Sequence, residues 1–448
     1  MIIMKFGGTS VQDAKAMSNV NSIASQYQDE PILIVSSACS GMTSELLKLA
    51  NDSVHISDDE RNARIDAMRD RHLGIAGDLG VGDAARDNIL DLCEMLRMTC
   101  EGVALLGECT PRSCDGIAAF GELLSTVILN HLLQQHHSCM WFDARKVITT
   151  DTSYQQANID FQQTEIKARE VLLPLFASNR IIITQGFIAS DIHDNTTTLG
   201  RGGSDYSAAL FGAALNAKEI IIWTDVSGIA SADPRLISDA HFIKRMSFDE
   251  ARMLSFFGAK VLHPETLIPA LRKNIPVHVR NTFKSSDIGT TITQKGDEHA
   301  TGFRSVIGKQ SVICLSIHGM AGSKYHENKN TILHELLHLT GVEPVLQANV
   351  GDSEVLIYDA PMQFFKGYRT QENLSMNITV EEFSLISAIG PNLRSEHSKD
   401  AVKIFHETVL QYCSQPIFIS GIQPNTLSAL VPGDISQSIL KELHLHCS

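Results

Sequence analysis

The chain has 448 residues, of which 43% are hydrophobic and 20% charged. At roughly 100–200 residues per domain, that length allows about two to four domains with cores that need no disulfide or structural metal. Lys and Arg number 37 against 51 Asp and Glu, a net charge of −14, which argues against nucleic acid or an anionic membrane as partner because both need clustered positive charge. The nine cysteines are scattered, with no Cys-x-x-Cys pair, and read as reduced thiols rather than a zinc site or disulfide framework. The opening Met1-Ile2-Ile3-Met4-Lys5 is too short an apolar run for a signal peptide, and no stretch is expected to approach the ~20 apolar residues of a membrane span. A cytoplasmic protein is expected.

The first 280 or so residues alternate short apolar runs with longer amphipathic stretches. Pro31-Ile32-Leu33-Ile34-Val35, Arg180-Ile181-Ile182-Ile183-Thr184 and Glu219-Ile220-Ile221-Ile222-Trp223 predict buried strands, each β-branched and bounded by polar or glycine-containing segments. Helices are predicted from Ser40 to Ala50, from Gly121 to Leu133 and after Ser247-Phe248-Asp249-Glu250, which has capping-box spacing. The alternation predicts a layered α/β domain over 1–282, its mainly parallel sheet lying between helices. Residues 283–310 read as a connection with one strand. Beyond it come a strand over Ser311 to Ile317, a helix over Thr331 to Leu339 ending at Gly341, and a strand over Ser353 to Tyr358. A weaker second pass follows: Ser384 to Ile389, a helix over Asp400 to Tyr412, then Ile417 to Ile419 and Leu427 to Val431. Two similar α+β units, 311–380 and 381–448, are predicted.

Chemistry concentrates at a few points. Lys5-Phe6-Gly7-Gly8-Thr9-Ser10 follows the opening strand. Two glycines at a strand end let backbone N–H groups approach a phosphate, and Lys5 adds a point charge, although paired glycines are more often just a turn. Neither a Walker A loop nor the protein-kinase signatures are present, so phosphoryl transfer here needs another scaffold. Thr196 through Asp205 is the densest glycine and polar cluster and opens a helix, a ready anion site in which Arg201 can clamp a carboxylate. Trp223-Thr224-Asp225-Val226 ends an apolar strand, where open α/β sheets bind ligands. Asp233-Pro234-Arg235 and Phe257-Gly258-Ala259-Lys260 add charges, each of which alone reads as surface.

In order along the chain stand Lys5 to Val11, Gly121-Glu122, Gly186-Phe187-Ile188, Thr196 to Tyr206, Trp223 to Val226, Asp233 to Arg235 and Phe257 to Pro264. This series resembles aspartate kinase of the monofunctional bacterial kind that ends in two ACT units. The resemblance implies an amino-acid-kinase fold followed by two ferredoxin-like ACT units. It also implies ATP-dependent phosphorylation of the L-aspartate side-chain carboxylate, the first step toward lysine, threonine and methionine. It gives Lys5 the charge on the transferred phosphoryl group, with Phe6, Gly7, Gly8, Thr9 and Ser37 around the phosphates. Thr43, Glu122 and Arg201 would hold aspartate, Glu122 by its ammonium and Arg201 by its α-carboxylate, with Gly202, Gly203 and Ser204 shaping that pocket. Asp205 would contact substrate or orient the lysine. Thr224, Asp225, Arg235, Lys260 and Val261 would meet the nucleotide. Ala230 is counted with these nucleotide residues, although it stands where relatives usually carry an aromatic residue, which leaves open one lost contact to the nucleoside side. Mg2+ is expected to arrive with ATP, on phosphate oxygens and water, with no dedicated protein cage.

His334-Glu335-Leu336-Leu337-His338 fits the zinc-protease pattern His-Glu-x-x-His. The third ligand of the longer pattern falls on Pro344, which cannot ligate, and Ile332, Leu333, Leu336 and Leu337 are what a helix packed on an ACT sheet shows. The resemblance implies a homodimer or dimer of dimers through the ACT units and an effector, lysine or threonine, at His318 to Ser323. Polar residues over Lys324 to Asn330, and Asn349 to Ser353 in place of a Ser/Thr-rich stretch, leave open a lost or retuned effector. The alternatives weighed are another amino-acid kinase, acting on glutamate, acetylglutamate or carbamate, and a catalytically idle ACT-type amino-acid sensor.

Overall fold

A computed structural model describes residues 1–27, 29–258, 264–318, 331, 333–338, 340–350, 353–365, 377–393, 399–419 and 424–447. The chain divides into two compact units. The first takes Met1–Ile229, Lys244–Phe248 and Val261–Gly296; the second takes Ala230–Ile243, Asp249–Lys260 and Asp297–Ser448.

The first unit is built on an eight-stranded sheet: β1 (Ile2–Phe6), β2 (Ile32–Ser36), β3 (Cys139–Trp141), β5 (Ile181–Gln185), β8 (Glu219–Thr224), β9 (Arg245–Ser247), β10 (Val277–Asn281) and β11 (Thr290–Thr293). Its strand order is β3-β5-β2-β1-β8-β10-β11-β9. All neighbours are parallel except β10 and β11. Every residue of β1, β2 and β5 is buried, as expected of parallel strands covered on both faces. A small three-stranded sheet, β4 (Thr149–Thr150), β6 (Ile188–Asp191) and β7 (Thr196–Thr198), has no counterpart among the predicted strands.

The helices that bear on the site are α1 (Ala14–Ser25), α2 (Met42–Asp52), α3 (Asp58–Leu79), α4 (Asp83–Leu106), α5 (Pro111–Ala118), α6 (Phe120–Gln134), α7 (Phe161–Lys167) and α8 (Gly203–Ala214). The stretch Pro111–Gln134 corrects the expectation about membrane spans: by length and composition it could cross one. The reason for its apolarity is internal, since 83% of that window is buried inside the protein.

The second unit carries a six-stranded antiparallel sheet of β12 (Ser305–His318), β13 (Leu346–Val350), β14 (Ser353–Tyr358), β15 (Asn377–Ile389), β16 (Ile417–Ile419) and β17 (Thr426–Val431), in the order β13-β14-β12-β15-β17-β16. β12 and β15 are each longer than one unit needs. Val312 to His318 pair with Asn377 to Phe383, while Ser305 to Lys309 pair with Leu385 to Ile389. Gln310 and Ser311 bulge out opposite Ser384, and Ser311 takes a φ of 55°. Over the described residues the first half runs strand-helix-strand-strand and the second strand-helix-strand-strand-helix, each with one further strand borrowed. The second half borrows residues 305–309 from the predicted connection 283–310, and β15 runs across the predicted boundary between 380 and 381.

The helices Lys399–Tyr412 and Ser436–His444 cover the second half. Its core joins Phe303, Phe405, Leu440 and Leu443 to Ala232 and Ile237 from the segment between β8 and β9. Residues 333–338 are helical and Gly341, at φ 67°, closes the turn through its N–H to Leu337 O. Leu336 is buried in the core of the first half, with Leu333 packed against it, while His334, Glu335 and His338 face outward. Among the described residues no three metal-ligating side chains come together.

Candidate active site

The strand register lines up the ends of the central strands. Phe6 pairs with Ser36 and with Trp223, and Ser36 pairs with Gln185. Gly7, Ser37, Gly186 and Thr224 consequently stand in one row at the carboxyl edge of the sheet, three just past their strands and Thr224 as the last residue of β8. The ladder continues one step into the loops: Gly7 N donates to Trp223 O (3.2 Å), Ser37 N to Phe6 O (3.0 Å) and Gly186 N to Ser36 O (2.9 Å). From β1 the chain goes first to β2 on one side, and β8 later adds on the other, so the row sits at the point where strand order reverses. That is where open α/β sheets bind ligands. Trp223, fully buried, stacks on Phe6 with ring centroids 6.1 Å apart and fixes this edge.

Lys5 shares a strand face with Ile3, which meets Gly212 of α8. The same face turns Lys5 toward the start of α8, and its Nζ lies 2.6 Å from Asp205 Oδ1. Both side chains are nearly buried, 11% and 13% exposed, so the ammonium is fixed in place by a carboxylate. The Gly7-Gly8 turn passes close over it. A Cβ on Gly7 would lie 3.4 Å from Lys5 Nζ, and one on Gly8 would lie 3.0 Å from Ala38 O. Thr9 continues that turn, half-buried.

Ala38, in the loop after β2, donates its N–H to Glu122 Oε1 (3.1 Å). Glu122 stands in the first turn of α6, 2% exposed, and its Oε2 has no hydrogen-bond partner. Burial pushes its carboxyl up to about 8; the Ala38 N–H and the Lys5 charge pull the other way. A buried carboxyl oxygen without a partner can accept a hydrogen bond from an arriving cation. Ser37 is held from behind, since Ser125 Oγ donates to its carbonyl (2.7 Å).

The glycine cluster is shaped by close approach. Gly202 precedes α8 at φ 74°, and a Cβ on Gly203 would come within 2.8 Å of the Phe187 ring. Gly186 meets Ser204 so closely that a Cβ there would lie 2.6 Å from the Ser204 Cβ. Gly186→Ala is therefore expected to cost about 1–3 kcal/mol of stability, read as a lowered urea midpoint, because neither the strand end nor the helix start can retreat.

Arg201 is exposed and makes no ion pair among the described residues. It borders a cavity of 410 Å³ with Gln156, Asn158, Gly200, Tyr206 and Thr266. The cavity does not include Lys5 or Glu122; α8 links the two places, carrying Gly203, Ser204 and Asp205 between them. Thr43 is half-buried in the first turn of α2. Thr224 donates to Asp225 Oδ1 (3.1 Å) at the exposed end of β8. Ala230 and Arg235 belong to the second unit, where Arg235 is paired with Asp233 at 2.6 Å. Lys260, Val261 and the expected effector loop at 319–323 lie outside the described residues, as do the side chains of Asn349 and Val350.

Asp115 of α5 escaped the sequence reading. It is 1% exposed and accepts from Thr198 N (2.9 Å), Thr198 Oγ1 (2.8 Å) and Gln155 N (2.9 Å). It thereby ties α5 to β7 and to the 155–158 wall of the cavity. Nothing in its local sequence distinguishes it from a surface aspartate.

The sequence profile of the amino acid kinase family matches residues 1–281. The chain belongs to the amino acid kinase family. Over 457 aligned residues it is 33% identical to lysine-sensitive aspartokinase 3 of Escherichia coli K12, covering 99% of this chain and 98% of that one. The crystal structure of E. coli aspartokinase III with aspartate and ADP, described as the R-state, superposes with a TM-score of 0.82 at 31% identity, covering 100% of this chain and 99% of that one. The same enzyme with lysine and aspartate, described as the T-state, gives 0.83 at 32% identity, covering 99% of each chain. Within its family, this chain belongs with the aspartokinases.

Proposed function

We propose that this chain transfers the γ-phosphoryl group of ATP to the side-chain carboxylate of L-aspartate, giving 4-phospho-L-aspartate. The observation that carries the reading is the Lys5–Asp205 pair set under the Gly7-Gly8 turn, beside the Glu122 carboxyl, whose Oε2 has no hydrogen-bond partner. The aspartate carboxylate is ionised at neutral pH and needs no general base, so the task is to bring two anions together and hold them in line. Lys5 neutralises charge on the transferred group. Gly7 and Gly8 let main-chain N–H groups approach it, Glu122 takes the substrate ammonium, and Arg201 clamps the α-carboxylate bidentately. Thr43, Gly202, Gly203 and Ser204 shape the aspartate pocket, and Thr224 with Asp225 faces the nucleotide. Mg2+ enters on the ATP phosphates, neutralising their charge.

The relative's lysine sensitivity supports lysine as an effector of this chain, acting on the C-terminal sheet, and a homodimer formed through that sheet. The test is ADP release from Mg-ATP with L-aspartate, L-glutamate or no acceptor, repeated with lysine and with threonine. Turnover is expected only with aspartate and is expected to fall with lysine. Turnover on glutamate alone would replace aspartate as the substrate, and ATP binding without any turnover would favour the idle sensor.

A further inference from the structure

We propose that Cys109 and Cys114 form a reversible disulfide that controls how the chain holds its amino-acid substrate. Their Sγ atoms lie 3.2 Å apart, closer than two unbonded sulfurs ordinarily pack. Cys109 is partly exposed at the end of the α4–α5 turn, beside the exposed Leu105, Leu106, Gly107 and Glu108. Cys114 is 3% exposed in α5. An outer thiol open to an oxidant and an inner one within reach of it make an attacking and a resolving pair. Among the described residues this is the one pair of cysteine sulfurs within hydrogen-bonding distance.

The chemistry balances with a low-molecular-weight disulfide as oxidant. The Cys109 thiolate attacks one sulfur of that disulfide and expels a thiol. The Cys114 thiolate then attacks Cys109 Sγ of the mixed disulfide, forms the Cys109–Cys114 bond and expels the second thiol. Two protein thiols lose two electrons and two protons, and one external disulfide becomes two thiols. Burial pushes the Cys109 thiol up to about 12, so the first attack is slow at neutral pH and speeds up as pH rises.

The consequence for the site follows from the neighbours of Cys114. Closing the bond draws sulfurs 3.2 Å apart to about 2.05 Å, at the N-terminal turn of α5, where Thr110 caps the helix and Pro111 opens it. The next residue is Asp115, whose carboxylate holds Thr198 and Gln155. On its other side Cys114 abuts Asn51 at the end of α2, the helix that begins near Thr43. A shift of α5 therefore reaches the 155–158 wall of the Arg201 cavity and the far end of the helix that carries Thr43. This effect rests on aspartate being the substrate; the disulfide itself does not.

The test treats full-length protein with oxidised glutathione, then blocks free thiols and digests with trypsin. Cleavage after Arg112 separates peptide 98–112 from 113–145. The bond joins them until reductant is added, and fragmentation assigns it to Cys109 and Cys114 rather than to Cys100 and Cys139. The expected kinetic result is a KM for aspartate raised about tenfold in the oxidised protein, the loss of about one charged hydrogen bond. kcat is expected to change little, reductant to restore KM, and Cys109→Ser protein to be indifferent to the oxidant. Peptides that stay separate under oxidant that modifies other thiols would overturn the bond. A bond that forms with KM unmoved would overturn the control. Absence of turnover on aspartate in the reduced protein would instead count against the kinase reading, with the peptide result still deciding the bond.

Discussion

Replacing Lys5 by methionine is expected to lower kcat by about 10²–10³-fold, the usual cost of removing one charged group that stabilises a transition state. The replacement has a second effect that must be separated from the first. It strands Asp205, a carboxylate only 13% exposed that now lies 2.6 Å from the ammonium. An unpaired, nearly buried charge destabilises the fold by several kcal/mol, whereas removing both charges together costs far less. The double variant Lys5→Met with Asp205→Asn is therefore expected to recover most of the lost urea stability and none of the turnover. Recovery of turnover alongside stability would show that Lys5 acts only as a structural ion-pair partner. A single variant with kcat intact would remove Lys5 from the chemistry altogether.

Glu122→Gln is expected to raise the KM for aspartate by about 10–100-fold, the worth of a charge-assisted hydrogen bond in a buried place, with a smaller change in kcat. The pH profile gives a sharper reading. The Glu122 carboxyl is pushed from 4.5 up to about 8, so below that pH the empty site holds a proton. An arriving ammonium favours the ionised form, and binding must then expel the proton. KM for aspartate is expected to fall by up to about tenfold per pH unit as pH rises toward 8 and then to level; in the glutamine variant that slope should vanish. Stability runs the opposite way. Between about 4.5 and 8 the folded protein binds a proton that the unfolded chain has lost, so the Glu122 contribution to stability is complete below about 4.5 and is lost as pH rises through 8. A wild-type KM that is flat from pH 6 to 9 would mean that Glu122 does not meet the ammonium.

Much of the site is legible in the sequence because its parts sit next to strand ends, and strand ends show. Lys5 and Thr224 lie at or near the ends of short apolar runs that read as buried β-strands, the glycines at 186 and 203 mark places where a side chain would collide, and Gly202 marks a left-handed turn. What stays hidden is hidden for identifiable reasons. The buried stripe of α3 is Arg61, Ile65, Met68, His72, Ile75 and Ala76, so two of its six core positions carry polar residues and the helical period is blurred. The strands β4, β6 and β7 are two to four residues long, too short to show alternation. Asp115 acts through contacts with residues 40 and 83 positions away in the chain, which local pattern cannot reveal. The bulge at Gln310 and Ser311 hides the fact that one strand serves both halves of the C-terminal sheet.

That sharing bears on inheritance and on engineering. A regulatory module that is to pass between proteins by recombination should be severable at a single point. Here the C-terminal sheet takes its strand 305–309 from ahead of its own first half, and its core takes Ala232 and Ile237 from between two strands of the first unit. A fragment opening at residue 283 would lack two of its own core residues and the Ser231 hydrogen bonds to Val306 N and the His444 ring. A chimera joined there would inherit a sheet whose missing segment must come from its host. If lysine acts on this sheet as proposed, the response is expected to travel between relatives only when residues 230–243 travel with it.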